Sequence, residues 1–253
     1  MSEDYTPPEA ATSAVERHGV ALGPDAPLFD IMSTMRAMRR LRPDPVPREL
    51  LERLVEAATW APSGSNSQTY AYVIVTDRAQ IARLAPIWRT IAEWYGATQK
   101  PADHMAADYA ERMVAAVREQ AERFEEIPAL IVAGYDLSAA RRNVVENAPA
   151  ILAATRKLGP RRALEFTRNT KKTMLLGEAS SVYPGVQNLL LAARAHGLAA
   201  TMTTWHTFLE GEFKAVLGIP GHVHTFAIVP VGWPRGHFGP VSRRPAEIHW
   251  DRW

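Results

Sequence analysis

The sequence of 253 residues contains no cysteine, which excludes disulfide bonds, thiolate metal sites and cysteine nucleophiles. Its formal net charge is only +2 and no long block of like charge occurs, so global electrostatics do not favour binding to nucleic acid. No apolar run is long enough to span a membrane. Residues 1–27 are polar, contain several prolines and lack the apolar core of a signal peptide. We therefore expect a soluble, cytoplasmic protein.

Common nucleotide-binding and nucleophile motifs are missing as well. No Gly-x-Gly-x-x-Gly, Walker A or Gly-x-Ser-x-Gly pattern occurs, so a Rossmann dinucleotide fold is not indicated. No internal repeat is visible. A chain of this length can bury a full core. We predict an N-terminal extension over residues 1–27, followed by a single domain over residues 28–253.

A short polar loop lies between a predicted amphipathic helix, Pro47 to about Trp60, and a predicted strand, Tyr70–Thr76. Its small residues leave backbone N–H groups and side-chain amides free to face a ligand. We expect it to hold one edge of a flat, anionic cofactor. The loop is Ala61-Pro62-Ser63-Gly64-Ser65-Asn66-Ser67-Gln68.

A cluster of three arginines, Arg36, Arg39 and Arg40, lies upstream of this loop. The pattern predicts a helix over residues 28–41, ended by Pro43, on which Arg36 shares a face with Arg39 and Arg40. Clustered guanidinium groups suit a phosphate because each offers a planar fork of donors. A solvated basic face is the alternative interpretation.

The middle of the chain is predicted to be mostly helical. Residues 136–178 are expected to form helices that are broken at Pro149 and Gly159-Pro160 and that serve as a lid, a subunit contact or a substrate entrance. A helix over residues 180–197 is the best defined, with a serine cap and Pro184 in its first turn. The other predicted elements are a helix from Asp77 to between Trp88 and Tyr95, a helical region over 101–126, strands over 128–135, 199–204 and 222–231, and a helix over 209–217.

The order of these blocks resembles the nitroreductase family. Residues 36–47, which carry the arginines, are similar to that family's phosphate-binding segment, and residues 61–68 to its flavin-binding loop. Residues 181–193 are similar to its long central helix. Its C-terminal blocks are matched by Gly218-Ile219-Pro220, Val229-Pro230-Val231-Gly232-Trp233-Pro234 and Arg243-Arg244-Pro245. The resemblance covers about Leu28 to Ile248 and is weakest over 136–178.

The resemblance implies an α+β fold with a mainly antiparallel central sheet flanked by helices. It also implies an intertwined homodimer with two FMN molecules at the subunit interface. In such a dimer the irregular tail, residues 235–253, would pack against the partner subunit. The implied function is an FMN-dependent oxidoreductase: NADH or NADPH donates a hydride to flavin N5, and an electron-poor acceptor such as a nitroaromatic or a quinone then takes the electrons. No catalytic side chain is required.

The family match also implies which residues bind FMN. Arg36, Arg39 and Arg243 would approach the phosphate. Pro62, Ser63 and Asn66 would contact the flavin ring or ribityl chain. The segment from Thr203 to Trp205 would lie against the isoalloxazine. The full expected set is Arg36, Ala37, Met38, Arg39, Arg40, Pro62, Ser63, Gly64, Ser65, Asn66, Gln68, Thr203, Thr204, Trp205 and Arg243.

Two positions depart from the family pattern. Ala37 stands where serine is frequent, and Thr69-Tyr70 stands where Pro-Trp is common. Residues 203–205 are closer to the deiodinase-like branches, so reductive dehalogenation or flavin-consuming chemistry is a second enzymatic interpretation. A non-catalytic FMN-binding or storage protein is an alternative from another class, as is a regulatory dimer that uses the basic pairs of residues 136–178.

The histidines are predicted to be structural. His206 follows the segment that would lie near the flavin, and we expect it to be a hydrogen-bonded structural residue. His222 and His224 alternate along a predicted strand and would share one face. Because no carboxylate pattern accompanies them, a metal site is not expected.

Overall fold

A four-stranded antiparallel sheet forms the centre of the protein. The computed structural model describes residues 25–98 and 107–253. The strands run in the order β1-β2-β4-β3. Register pairs such as Ile74 with Ile131, and Val132 with Ile228, set branched side chains side by side across the three long strands. The strands are β1 Tyr70–Val75, β2 Ala129–Asp136, β3 Ala199–Ala200 and β4 Val223–Gly232.

Helices cover both faces of this sheet. The α-helices are α1 Leu28–Thr34, α2 Arg48–Thr59, α3 Arg78–Thr98, α4 Ala107–Glu122, α5 Ser138–Glu146, α6 Ala148–Lys157, α7 Pro160–Ala195 and α8 Glu210–Leu217. Short 3-10 turns occupy Gly64–Asn66, Phe124–Glu126 and Trp205–Leu209.

Alternation along the strands divides the core into two layers. Ile131 of β2 faces α2 and the C-terminal half of α7, whereas its neighbours Leu130 and Val132 face α3. All three side chains are buried, and burying an aliphatic side chain of this size contributes about 1.5–3 kcal/mol. The outcome is a helix–sheet–helix arrangement, which confirms the predicted α+β class with an antiparallel sheet.

The predicted helix over residues 28–41 is wrong beyond Thr34. Met35 adopts an extended conformation, and the chain then follows the edge of the sheet. The Met38 N–H donates to the Ala200 carbonyl, and Leu41 forms a bridge with Pro234. These long-range backbone bonds take the place of helical ones, so Arg36, Arg39 and Arg40 do not share a helix face.

The helix predicted to begin at Ser180 begins twenty residues earlier. Helix α7 runs without interruption from Pro160 to Ala195 and contains Pro184 in its interior. The hydroxyls of Ser180 and Ser181 donate to the Gly177 carbonyl within the helix and do not cap it. Two serines followed by a proline three residues later are typical of a helix start. Residues 161–178, however, are mostly good helix formers, and the helix extends through them.

Most other predicted elements are confirmed. Helix α2 and strand β1 lie within one residue of their expected bounds, and the Asp77 carboxylate caps α3 by accepting from the Ala79 N–H at 2.8 Å. Helices α5, α6 and α7 are separated near Pro149 and at Gly159, as expected. Most of the predicted N-terminal extension, and residues 99–106 with the first part of the 101–126 region, lie outside the described residues. Within the part of the chain that the structure describes, no helix is both long and apolar enough to cross a bilayer.

The contact between α7 and α2 can be tested at Gly185. A Cβ at this position would lie 2.8 Å from the Ala58 carbonyl oxygen and 2.8 Å from the Tyr72 hydroxyl. Gly185→Ala should therefore lower the free energy of unfolding by about 1–3 kcal/mol, measured by denaturant titration. Gly177→Ala, on the same helix with open space around it, is the matched control. That control should be neutral or stabilising by up to about 1 kcal/mol, and equal losses in both variants would contradict the packing described.

Candidate functional site

The arginine segment, residues 36–40, lines a surface cavity of about 290 Å³. The arginine segment lies along the edge of the sheet. It is held there by the backbone bond from Met38 to Ala200 and by the Thr201 hydroxyl, which donates to the Met38 carbonyl at 3.0 Å. Arg112 and Met113 of α4 form the opposite wall, and Gly236 and His237 of the tail form one end. The cavity, which we call the arginine cavity, thus combines several guanidinium groups with extended backbone. Such a donor set suits a phosphate.

A larger cavity of about 600 Å³ lies between α3 and α4. It adjoins the arginine cavity, because Arg39 and Met113 line both. Its aromatic wall is Trp205, whose ring centroid lies 4.0 Å from that of Tyr95 and 5.7 Å from that of Trp88. We call it the aromatic cavity. Its charged lining residues are Arg39, Arg89, Glu93, Arg118 and Glu122.

Residues 203–205 connect the two cavities to the sheet. The predicted strand over 199–204 is shorter than expected and forms only Ala199–Ala200. Thr203 then makes an isolated bridge with Ile228 of β4, with backbone bonds of 3.0 and 2.9 Å. The Thr203 hydroxyl also accepts from the Trp205 N–H at 3.3 Å. The sheet therefore fixes the position from which the Trp205 ring enters the aromatic cavity.

The polar loop, residues 61–68, has an unusual backbone. Ser65, Asn66 and Gln68 all have positive φ, at 53°, 51° and 50°. Left-handed backbone costs non-glycine residues about 1 kcal/mol each, and such strain concentrates at ligand-binding sites. The loop is held by the Ser63 hydroxyl, which accepts from the Gln68 N–H, and by a bond from the Gly64 N–H to the Ser181 hydroxyl, both 3.0 Å. Pro62, Gly64, Ser65, Asn66 and Gln68 are exposed.

The structure brings some of the predicted site residues together and separates others. Arg39 and Trp205 share the aromatic cavity. The polar loop is anchored at Ser181 of α7, whereas Thr34, just before the arginine segment, is anchored at Arg194. These anchors are about 20 Å apart along the helix axis. Within one protomer, the polar loop therefore lies far from the arginine cavity.

Arg243 also lies apart from the predicted phosphate contacts. Its guanidinium is exposed and donates to the carbonyl of its neighbour Ser242 at 2.8 Å. It lines neither the arginine cavity nor the aromatic cavity. Its assignment to a phosphate remains a prediction from the family pattern.

Several cavity-lining residues were not expected from the sequence. Tyr95, Arg112, Met113 and His237 come from three separate elements, and none belongs to a recognisable motif. The sequence predicts a helix that reaches between Trp88 and Tyr95, but it does not show which side chains of that helix line a cavity. Only the docking of α4 along α3 shows which of them face a cavity.

His206 is fully buried, at 0% exposure, with its ring packed against Phe213 at a centroid distance of 5.4 Å. Its structural role agrees with the prediction, but neither ring nitrogen makes a hydrogen bond of normal geometry with a described residue. Burial lowers its pKa to about 4, although the Glu210 carboxylate and the Thr225 backbone lie close enough to favour the charged form. The imidazole is therefore neutral at pH 7.

His222 and His224 lie in different surroundings. His222 precedes β4, and His224 Nδ1 pairs with Glu178 Oε2 at 2.8 Å. Across residues 25–98 and 107–253, no group of three or more His, Asp or Glu side chains could hold a metal ion.

Comparison with known proteins identifies the family. The sequence profile of the nitroreductase family matches residues 33–233. The chain belongs to the nitroreductase family. Its arginine segment, polar loop and residues 203–205 all lie inside the matched range, whereas Gly236, His237 and Arg243 of the tail lie beyond it.

Relatives of this family member include several kinds of oxidoreductase. An NADH dehydrogenase from Thermus thermophilus is 27% identical over 214 residues, which cover 84% of this chain and 89% of the relative. Nitroreductase NfnB of Mycolicibacterium smegmatis is 26% identical and covers 73% of each chain. Iodotyrosine deiodinase 1 of Rattus norvegicus is 25% identical, and the alignment covers 85% of this chain but 65% of that protein.

Solved structures share the fold. An iodotyrosine deiodinase bound to FMN and 3-iodo-L-tyrosine superposes with a TM-score of 0.62 at 18% identity, covering 90% of this chain and 100% of that one. A nitroreductase with bound FMN from Desulfitobacterium hafniense superposes with a TM-score of 0.55 at 19% identity, covering 89% of this chain and 98% of that one. The fold is therefore nitroreductase-like.

The buried His206 should make the protein sensitive to acid. Its folded-state pKa of about 4 lies below the ordinary value of 6.5, so the stability present above pH 6.5 is lost as the pH falls toward 4. When the pH falls from 7 to about 4.5, the unfolding free energy of both proteins should decrease. The decrease should be about 2 kcal/mol smaller for His206→Phe than for the natural protein. Denaturant titrations at several pH values measure this difference. Parallel stability curves would contradict it.

Proposed function

We propose that this chain is an FMN-dependent oxidoreductase that transfers a hydride from NADH or NADPH to an electron-poor acceptor. The observation that carries the proposal is the arginine cavity, which adjoins an aromatic cavity bordered by residues 203–205 in a chain of the nitroreductase family. FMN needs an anion-binding surface for its phosphate, and its electron acceptor needs an apolar surface beside the flavin.

The residues present fit FMN. Arg36 is exposed at the arginine cavity, where it can reach an anion, whereas the exposed Arg40 pairs with the Glu119 carboxylate. Arginine suits a phosphate because its planar fork can donate two parallel hydrogen bonds. Ala37 offers no hydroxyl, so the guanidinium groups and backbone N–H groups of the segment would hold the phosphate. The strained polar loop offers outward-facing amides and backbone donors to the polar edge of the flavin.

When bound, FMN would supply the redox chemistry, accepting a hydride from the nicotinamide and passing two electrons to the acceptor. The protein's part is to orient the rings and to stabilise negative charge. Fixed guanidinium groups beside the cavity favour an anionic state without reorganisation of solvent. His206 is buried and neutral, and we assign no proton transfer to it.

The aromatic cavity is the proposed acceptor site. Its volume of about 600 Å³ falls within the range of small-molecule sites. Tyr95 and Trp205, which pack against each other with ring centroids 4.0 Å apart, both line this cavity and offer aromatic surface to a planar acceptor. A nitroaromatic or a quinone has the required shape and electron deficiency.

A homodimer would complete the site. In one protomer, the polar loop and the arginine segment are anchored about 20 Å apart on α7. A second copy could place its own polar loop beside the arginine cavity. Exposed apolar side chains on α5, α6, the first half of α7 and the tail support such an interface, since large apolar patches mark interaction surfaces. They include Val145, Ile151, Leu152, Leu164, Phe166, Leu175, Leu176, Ile248, Trp250 and Trp253.

Reductive dehalogenation is the second candidate activity. The rat relative and one superposed structure are iodotyrosine deiodinases, and the latter binds FMN and 3-iodo-L-tyrosine. Residues 203–205 also resemble the corresponding segment of the deiodinase-like branches of the family. An acceptor panel that contains a nitroaromatic, a quinone and an iodotyrosine would separate the two activities.

Reconstitution with FMN tests the proposed function. The purified protein should bind FMN, NADH or NADPH should bleach its visible absorption without oxygen, and an acceptor from the panel should restore the colour. Arg39→Ala should weaken FMN binding by about tenfold or more, because a charge-assisted hydrogen bond is lost. Arg48→Ala, which removes an exposed guanidinium from α2, is the control and should bind FMN normally.

A chain that takes up no FMN would refute the proposal. Bleaching that no acceptor reverses would favour storage of FMN over turnover.

A further inference from the structure

Arg194 is a buried cation with no carboxylate partner among the residues that the structure describes. It lies in the last turn of α7, is only 3% exposed and forms no ion pair within residues 25–98 and 107–253. Burial lowers its pKa, which shows that the surroundings disfavour its charge. An unpaired buried charge is costly, and such a residue usually has a specific role.

Two features of its surroundings stabilise this charge. The guanidinium carbon of Arg194 lies 4.1 Å from the centroid of the Phe238 ring, a cation–π arrangement. The C-terminal end of a long helix also favours positive charge. In addition, Arg194 Nε donates to the Thr34 hydroxyl at 3.1 Å. One side chain therefore joins α1 to the C-terminal tail.

Both contacts lie next to walls of the arginine cavity. Thr34 precedes Arg36 by two residues, and Phe238 directly follows His237, which lines the cavity. A backbone bond of 2.8 Å from the Val241 N–H to the Ser33 carbonyl joins the same two segments. The Arg235 N–H of the tail also donates to the Arg40 carbonyl at 3.1 Å, so the tail contacts the arginine segment directly.

We propose that Arg194 is a positioning residue for the phosphate end of FMN. It holds the arginine segment and the tail in a fixed relation from beneath the cavity, and its buried charge adds to the attraction for a dianionic phosphate. Charges in a poorly solvated interior interact more strongly than charges in water. The inference rests on the proposed function, because it requires that the arginine cavity binds the FMN phosphate.

A comparison of FMN with riboflavin tests this role, because riboflavin has the same ring and ribityl chain without the phosphate. Dissociation constants are measured by quenching of flavin fluorescence for the natural protein, Arg194→Met and Arg194→Lys. Arg194→Met should weaken FMN binding by about tenfold while riboflavin binding changes by less than about twofold. Arg194→Lys keeps the charge and should recover part of the FMN affinity.

Val186→Ala controls for lost stability. Val186 is fully buried on the same helix, in a core cluster that has no member in α1 or the tail, so its truncation should change the affinities for both flavins by the same factor. Should Arg194→Met fail to fold, Thr34→Val and Phe238→Leu each release one contact and leave the charge in place. Each of these should lower FMN affinity selectively by about two- to fivefold.

The result separates the two proposals. A natural protein that binds neither flavin would refute the proposed function. A natural protein that binds FMN, with Arg194→Met changing both flavins equally or changing neither, would overturn the role of Arg194 alone.

Discussion

The packing of helix α7 is the constraint on which the rest of the structure depends. Its C-terminal half is buried between α2 and the sheet, while its first half carries exposed apolar side chains such as Phe166 and Leu175. The hydrophobic effect favours cover for such a surface, and the described chain does not supply it. The same helix anchors the polar loop at Ser181 and, at Arg194, holds Thr34 just before the arginine segment. It therefore determines how far apart the two halves of the candidate site lie.

The chemistry of the site follows from that arrangement. The sheet edge carries residues 36–40 and 203–205 side by side, so anion-binding donors and the Trp205 ring occupy neighbouring cavities. The protein supplies no metal cluster among the residues that the structure describes, and its buried His206 stays neutral. What remains is a surface that can orient a flat anion and stack a planar acceptor. A bound flavin would add the reactivity that these side chains lack.

The sequence was informative where local chemistry decides the structure. The hydrophobic periodicity of α2, the β-branched strand β1 and the Asp77 cap were all predictable, as were the family and the antiparallel sheet. The prediction was wrong where long-range backbone hydrogen bonds determine the structure. The segment after Thr34 forms such bonds with Ala200 and Trp233, and no local sequence signal encodes that pairing. The aromatic cavity was also missed, because its lining depends on how α3 and α4 dock. The sequence does not single out Arg194 either, because its contact with Phe238 depends on the tail.

The central claim is that two protomers share each FMN site, and complementation between damaged protomers tests it most directly. Arg39→Ala damages the arginine side and Asn66→Ala damages the polar loop, so each variant alone should bind FMN poorly at every site. A mixed dimer, isolated by two different affinity tags, should regain one site built from the two intact segments and bind FMN there with the affinity of the natural protein. Our account predicts that recovery. A mixed dimer that binds FMN no better than either parent variant would contradict it.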